Sequence, residues 1–295
     1  MTRRGTYSIV ARDPETLELG VAVQSHWFSV GSAVPFAQAG VGAVAVQSVP
    51  DPGAGPAILA ALEEGQDAQD ALRGSIAFAD DEGAMRQTGV VDAHGRAAAW
   101  TGPGCIPFAG DVQGPGYSAQ ANMMLREGVP EAMAAAYQAA EGPLAERLLA
   151  ALDAGEEAGG DVRGRQSAAL LVVPAEGPSH AWTVDLRVED HADPLAELRR
   201  LLVLHRAYEL AGEADEMVAQ GRHDEASGLY ERAAQLAPDS DELLFWAGLA
   251  RGPEDGIELV REAIARNPRW SELLERLTPE VAPTAADVRA ALASD

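Results

Sequence analysis

The sequence predicts an α+β fold, two stacked antiparallel sheets with helices on their outer faces, followed by a small all-helical domain. Three observations carry that expectation. Residues 1–190 run in the order strands, two helices, strands, two helices, strands. Tight turns join several successive strands, so antiparallel pairing dominates over a doubly wound parallel sheet. Residues 194–293 carry helical patterning alone. The expected domains are 1–192 and 193–295, in line with a length of 295 residues, which points to about two domains.

The first hairpin reads TYSIVARD, a turn at Pro14-Glu15-Thr16, then LELGVAVQS. Both arms carry β-branched or aromatic residues and Asp-Pro opens the turn. VGAVAVQS (41–48) predicts a third strand, closed by Pro50-Asp51-Pro52. Residues 54–64 and 67–79 predict two helices, with Asp67 placed to cap the second. RQTGVVDAHGRAAAWTG predicts a hairpin turning at Asp92-Ala93-His94-Gly95. After a stretch rich in glycine and proline (102–116), YSAQANMML fits a strand or a helix equally well. Residues 129–140 and 143–158 predict two helices broken at Gly142-Pro143, and QSAALLVVP and HAWTVDLRV predict two closing strands. In the C-terminal region, GRHDEASGLYERAAQLAP places Ala226, Tyr230, Ala233 and Pro238 as in the second helix of a tetratricopeptide repeat. Ala263 and Pro268 repeat that spacing in IELVREAIARNP, a few residues short of the usual period of about 34. Such a module predicts contact with a protein or peptide partner, or a homodimer surface.

Composition narrows the chemistry. The net charge is −24, which opposes binding to nucleic-acid phosphates and to anionic membranes. No apolar run reaches the ~18 residues of a spanning helix, and a signal peptide's apolar middle is missing, so a soluble cytoplasmic protein is expected. Cys105 is the single cysteine, leaving no internal disulfide or cysteine-rich zinc site. His26, His94, His180, His191, His205 and His223 show no ligand spacing, and no metal or other cofactor is expected. All 22 basic residues are arginine, so Schiff-base chemistry and lysine-assisted nucleophiles are unavailable.

Familiar catalytic motifs such as GxSxG, HExxH and GxxxxGK do not occur. Two features remain. Thr6 follows Gly5 at the head of the first strand. A threonine freed at its own N-terminus holds nucleophile and base in one residue, because an α-amine with a pKa near 8 is partly neutral at pH 7. An ordinary strand threonine is the competing reading. The second feature is an echo: Val21-Ala22-Val23-Gln24-Ser25 recurs as Val44-Ala45-Val46-Gln47-Ser48, and Gln166-Ser167 opens a later strand. Strand ends of this kind bring amides and hydroxyls to one rim, although polar residues also simply end strands.

TYSIVARDPETLELGVAVQSHWFSVGSAVPFAQAGVGAVAVQS, RQTGVVDAHGRAAAWTG, YSAQANMM and AEGPLAERLLAALDAGEEAGGDVRGRQSAALLVV resemble the domain-of-unknown-function family 1028 over about residues 6–190. That family is placed in the N-terminal-nucleophile (Ntn) hydrolase superfamily. The resemblance implies a four-layer αββα sandwich and an Ntn-type amidohydrolase. Typical members begin Met-Thr, and that threonine corresponds to Thr6, here preceded by the additional residues Thr2 to Gly5. Either the Gly5–Thr6 bond is cut, or the start lies elsewhere, or the domain is not catalytic by this route. Within the hydrolase reading Thr6 is the nucleophile, and a small amide is the substrate. Gln24, Ser25, His26, Gln47, Ser48, Asn122, Arg165 and Gln166 are the candidate substrate-binding residues. The alternative is a non-catalytic Ntn-fold protein that binds a ligand, or acts as an adaptor through its helical repeats.

Overall fold

The computed structural model describes residues 5–49, 51–77 and 83–294. It divides into two compact units after Arg199. Strands β1 (Thr6–Arg12) and β2 (Leu19–Ser25) form the first hairpin. Asp13 Oδ1 closes their turn by accepting the backbone N–H groups of Glu15 and Thr16 at 2.8 and 2.9 Å. Next come β3 (Pro35–Gln38) and β4 (Gly42–Gln47), then helices α1 (Ala54–Glu63) and α2 (Ala68–Ala77). The end of the second predicted helix, residues 78 and 79, lies outside the described residues, as does Pro50. Strands β5 (Gln87–Asp92) and β6 (Ala97–Thr101) follow, and Asp92 Oδ1 closes their turn on the N–H groups of His94 and Arg96. Strands β7 (Gly110–Gly114) and β8 (Tyr117–Asn122), helices α3 (Val129–Ala139) and α4 (Leu144–Glu157), and strands β9 (Ser167–Val173) and β10 (Val184–Val188) complete this unit.

The open segment YSAQANMML enters a strand, and three sequence expectations change. The predicted third strand is the fourth, because β3 precedes it, and β7 lies inside the glycine- and proline-rich stretch 102–116, for which the sequence predicts no element. The last strand starts at Val184 rather than near His180, whose neighbour Trp182 is exposed.

Among the described residues all strand pairings are antiparallel. One sheet runs β10-β9-β2-β1-β8-β7 and the other β3-β4-β5-β6. Side chains alternate between sheet faces, which separates two kinds of core. On the helix side of the four-stranded sheet, Val44, Val46, Val90 and Ala98 pack against Ile58, Leu59 and Leu62 of α1 and Leu72 of α2. On the six-stranded sheet, α4 lies so close to β2 that a Cβ on Gly20 would come within 2.6 Å of Leu148 Cδ1. Between the sheets, Val10, Leu19, Val21 and Val23 meet Ala43, Ala45 and Val91. That inter-sheet core is apolar toward one end of the strands only.

The second unit is helical. It contains most of α5 (Pro194–Ala219), then α6 (His223–Leu236), α7 (Asp241–Asp255), α8 (Ile257–Arg266), α9 (Arg269–Leu274) and α10 (Ala285–Ala293). Its core gathers Ala226, Tyr230 and Ala233 of α6, Phe245 of α7, and Val260 and Ala263 of α8. Phe245 stacks on Trp270 with ring centroids 4.8 Å apart. Among the described residues no helix is long and apolar enough to cross a membrane, and no group of three or more His, Cys, Asp or Glu is placed to hold a metal ion.

Candidate functional site

The other end of the inter-sheet face is polar. Register places Thr6 of β1 opposite Ser25 of β2 on one side and Asn122 of β8 on the other. Two residues along, Ser8 faces Gln120. Gln47 of β4 and Gln87 of β5 approach from the facing sheet. All of these side chains are buried, and Thr6 is 0% exposed.

Burial of so many polar groups requires a closed hydrogen-bond network. Gln87 is its centre. Its Nε2 donates toward Thr101 Oγ1 (2.9 Å) and the carbonyls of Ala121 (2.9 Å) and Gly110 (3.1 Å). Its Oε1 accepts from Gln47 Nε2 (2.8 Å) and Asn122 Nδ2 (3.0 Å). Ser8 Oγ donates to Gln47 Oε1 and accepts from Gln120 Nε2, at 2.6 and 2.7 Å. Gln47 Nε2 and Asn122 Nδ2 also reach the Thr6 carbonyl, at 3.3 and 3.4 Å. Asn122 Oδ1 accepts no hydrogen bond among the described residues.

At the head of β1 the Gly5–Thr6 peptide is held by its own set of groups. Thr6 Oγ1 donates to Ser25 Oγ at 3.2 Å, and Ser25 Oγ donates to the Gly5 carbonyl at 2.5 Å. Arg163 Nη2 donates to the same carbonyl at 3.0 Å. Arg163 is fixed by Asp161, with Nε on Oδ1 at 3.0 Å and Nη2 on Oδ2 at 2.8 Å. Both residues sit in the loop after α4. Gly159 and Gly160 have φ values of 138° and 56° there, a turn that side-chain-bearing residues rarely make. A guanidinium and a hydroxyl therefore polarise one peptide carbonyl in a buried setting, where such donors act most strongly.

The remaining candidates lie elsewhere. Gln24 is opposite Tyr7, on the face turned toward α4, and neither of its amide atoms has a hydrogen-bond partner among the described residues. Tyr7 donates to Glu156 at 2.7 Å, and burial, reinforced by that carboxylate, pushes its phenol well above the usual value. His26 Nδ1 is 3.1 Å from the Arg165 carbonyl, while its backbone N–H donates to Asp161 Oδ2. Arg165 pairs with Glu156 (2.7 Å) and Asp193 (3.3 Å), not with the Gly5–Thr6 peptide. Gln166 is half-buried, and its Nε2 donates to Asp190 Oδ1 at 3.1 Å. Ser48 has left its strand with φ at 72°, and Cys105 Sγ is 3.8 Å from its hydroxyl. Thr6, Ser25, Gln47 and Asn122 are thus brought together, whereas Gln24, His26, Ser48, Arg165 and Gln166 are not part of that cluster.

Sequence reasoning missed Arg163, Asp161, Ser8, Gln87 and Gln120. A signal existed for some of them: Thr6-x-Ser8 and Ser118-x-Gln120-x-Asn122 repeat polar residues at the period of a strand face. Beside the network is a cavity of about 650 Å³ lined by Thr101, Cys105, Phe108, Asp111, Met124 and Arg126, among others. Thr101 Oγ1 donates to Asp111 Oδ2 at 2.6 Å and accepts from Gln87, which links the cavity wall to the amides around Thr6.

Residues 6–198 match the profile of the family of unknown function DUF1028. The chain belongs to this family. The DUF1028 domain is also similar to a crystal structure of a protein from Silicibacter pomeroyi assigned to DUF1028. The two share 34% identity at a TM-score of 0.62, over 67% of this chain and 84% of that one. No curated protein matches the chain.

Proposed function

We propose that the DUF1028 domain is an Ntn-type amidohydrolase that frees Thr6 by cutting the Gly5–Thr6 bond and then uses it as the nucleophile. The observation that carries this reading is the Gly5 carbonyl, held by Arg163 Nη2 and Ser25 Oγ, with the Thr6 hydroxyl next in the same hydrogen-bond line. Donors so placed stabilise the oxyanion that forms when a hydroxyl attacks that carbonyl. Thr6 Oγ1 adds to the Gly5 carbonyl carbon, the C–N bond breaks, and the Thr6 nitrogen takes the hydroxyl proton. Water then releases Gly5 as a carboxylate and restores the hydroxyl beside a free amine. In later turnovers that amine accepts the proton from Oγ1 and passes it to the leaving nitrogen. Asn122 Oδ1, without a partner among the described residues, has an acceptor to spare for the new amine.

The four-layer αββα arrangement belongs to the same reading. Its support is that α1 and α2 lie on the four-stranded sheet, α3 and α4 on the six-stranded one, and the two sheets face each other. In the C-terminal unit, the burial of Ala226, Tyr230, Ala233 and Ala263 supports tetratricopeptide-like helix pairs available to a peptide, a protein partner or a second copy.

Intact-mass measurement of the purified protein tests the proposal: the mature chain is expected to begin at Thr6. Thr6→Ala is expected to remain uncut and inactive with an unchanged circular dichroism spectrum. Turnover by a chain that retains Gly5, or by the alanine variant, rejects the mechanism. The complete burial of Thr6 favours a second reading, a non-catalytic binding domain in which the threonine is part of the seam, and a folded chain that keeps its leader counts in favour of it.

A further inference from the structure

We propose that Asp161 sets the acyl-group specificity of the Thr6 site, admitting acyl groups whose carbon next to the carbonyl bears no side chain, such as glycyl and acetyl groups. This rests on the reading of Thr6 as nucleophile. Under that reading Gly5 is itself the first acyl group in the site, because its carbonyl makes the contacts to Arg163 and Ser25 that a substrate carbonyl takes later. A Cβ built on Gly5 would stand 2.7 Å from Asp161 Oδ2 and 3.0 Å from both Cγ and Oδ1, where ordinary contact begins at 3.4 Å. Gly5 is not among the glycines at positive φ, so its backbone does not call for glycine. The space does.

Asp161 has no room to yield. It is 5% exposed on a two-torsion side chain, and both oxygens are already bonded. Oδ1 accepts from Arg163 N–H (2.9 Å) and Nε (3.0 Å), while Oδ2 accepts from His26 N–H (3.1 Å) and Arg163 Nη2 (2.8 Å). Moving the carboxylate aside would also release Arg163 from the carbonyl it polarises. A side chain at the L position of the acyl group therefore meets a fixed wall beside the reacting carbon. The reaction itself balances as before: the amide C–N bond breaks, the acyl group passes to Thr6 Oγ1, the leaving nitrogen takes the proton, and water regenerates the hydroxyl.

The test follows leader removal in the full chain by mass spectrometry. Gly5→Ala is expected to slow cleavage before Thr6 about tenfold or more. Cleavage of Gly5→Ala at the wild-type rate overturns the specificity while leaving the nucleophile intact. A wild-type chain that is never cut rejects the nucleophile, and the specificity with it. Because Gly5→Ala also perturbs packing, processed wild-type protein is given Nα-acetyl-glycine and Nα-acetyl-L-alanine 4-nitroanilides in parallel. A glycyl preference of about tenfold or more is expected, falling toward unity in Asp161→Gly even as the overall rate drops. Equal wild-type rates, or a preference that survives Asp161→Gly unchanged, overturns the proposal.

Discussion

Asp13 shows how one carboxylate organises a hairpin and makes it sensitive to acid. Burial alone would raise its pKa, but the N–H groups of Thr16 and Glu15 and the Arg147 guanidinium outweigh burial and hold it below the usual carboxylate value. Arg147 Nη1 is 3.1 Å from Oδ2. The folded state therefore binds this proton more weakly than the unfolded chain does. Its stabilising contribution is complete above the ordinary aspartate pKa and is lost as pH falls through the lower folded-state value. Asp13→Asn is expected to lower the melting temperature at pH 7 and to have little effect once the wild-type carboxyl is protonated. Melting curves of both proteins from pH 7 down to pH 2 check it, and a constant difference across that range contradicts it. The same scale explains a limit of sequence reading. Neighbours on a strand point to opposite faces, so Gln24 and Ser25 cannot both face Thr6. Arg163 and Asp161 lie more than 150 residues from Gly5, and nothing local in DVRGR says which carbonyl the guanidinium will find.

At the scale of elements, the two sheets are joined at one end by apolar packing and at the other by amides. Gln87 connects β5 to β4, β6, β7 and β8 through its side chain alone. Gln87→Leu keeps the volume but leaves Gln47, Asn122 and the Ala121 carbonyl without that partner inside the core. The expected loss is about 2–4 kcal/mol, read from the urea midpoint with an unchanged slope. A loss within error of zero would mean that the amides are satisfied without it. The long apolar strands and the helices were legible because burial on both faces, or on one helical stripe, leaves a periodic mark. Strands β3 and β7 were not. Both are sheet edges and only partly buried, β3 begins with proline, and β7 is bounded by glycines, so neither carries an apolar alternation.

The whole molecule contains a second, separate core, and its integrity is testable apart from the chemistry. Phe245 is wholly buried between Trp270 and Trp246, with the second ring edge-on at 5.4 Å and 78°. Phe245→Ala is expected to destabilise the helical unit by about 3–5 kcal/mol, seen as a lowered transition in calorimetry. The proposed cleavage before Thr6 is expected to proceed at the wild-type rate in that variant. A loss of cleavage would show that the helices after Arg199 are required for the DUF1028 domain to fold.

The sealed position of Thr6 has an analytical use. In a polypeptide without lysine, a chain starting at Thr6 holds one primary amine, lodged among neighbours that leave it no solvent contact before cleavage. Amine-reactive reagents thereby become a single-site reporter: an uncut chain also holds one α-amine, ahead of Gly5, so the residue that bears the label tells cut from uncut molecules, and the speed of labelling at Thr6 measures how often the seam opens.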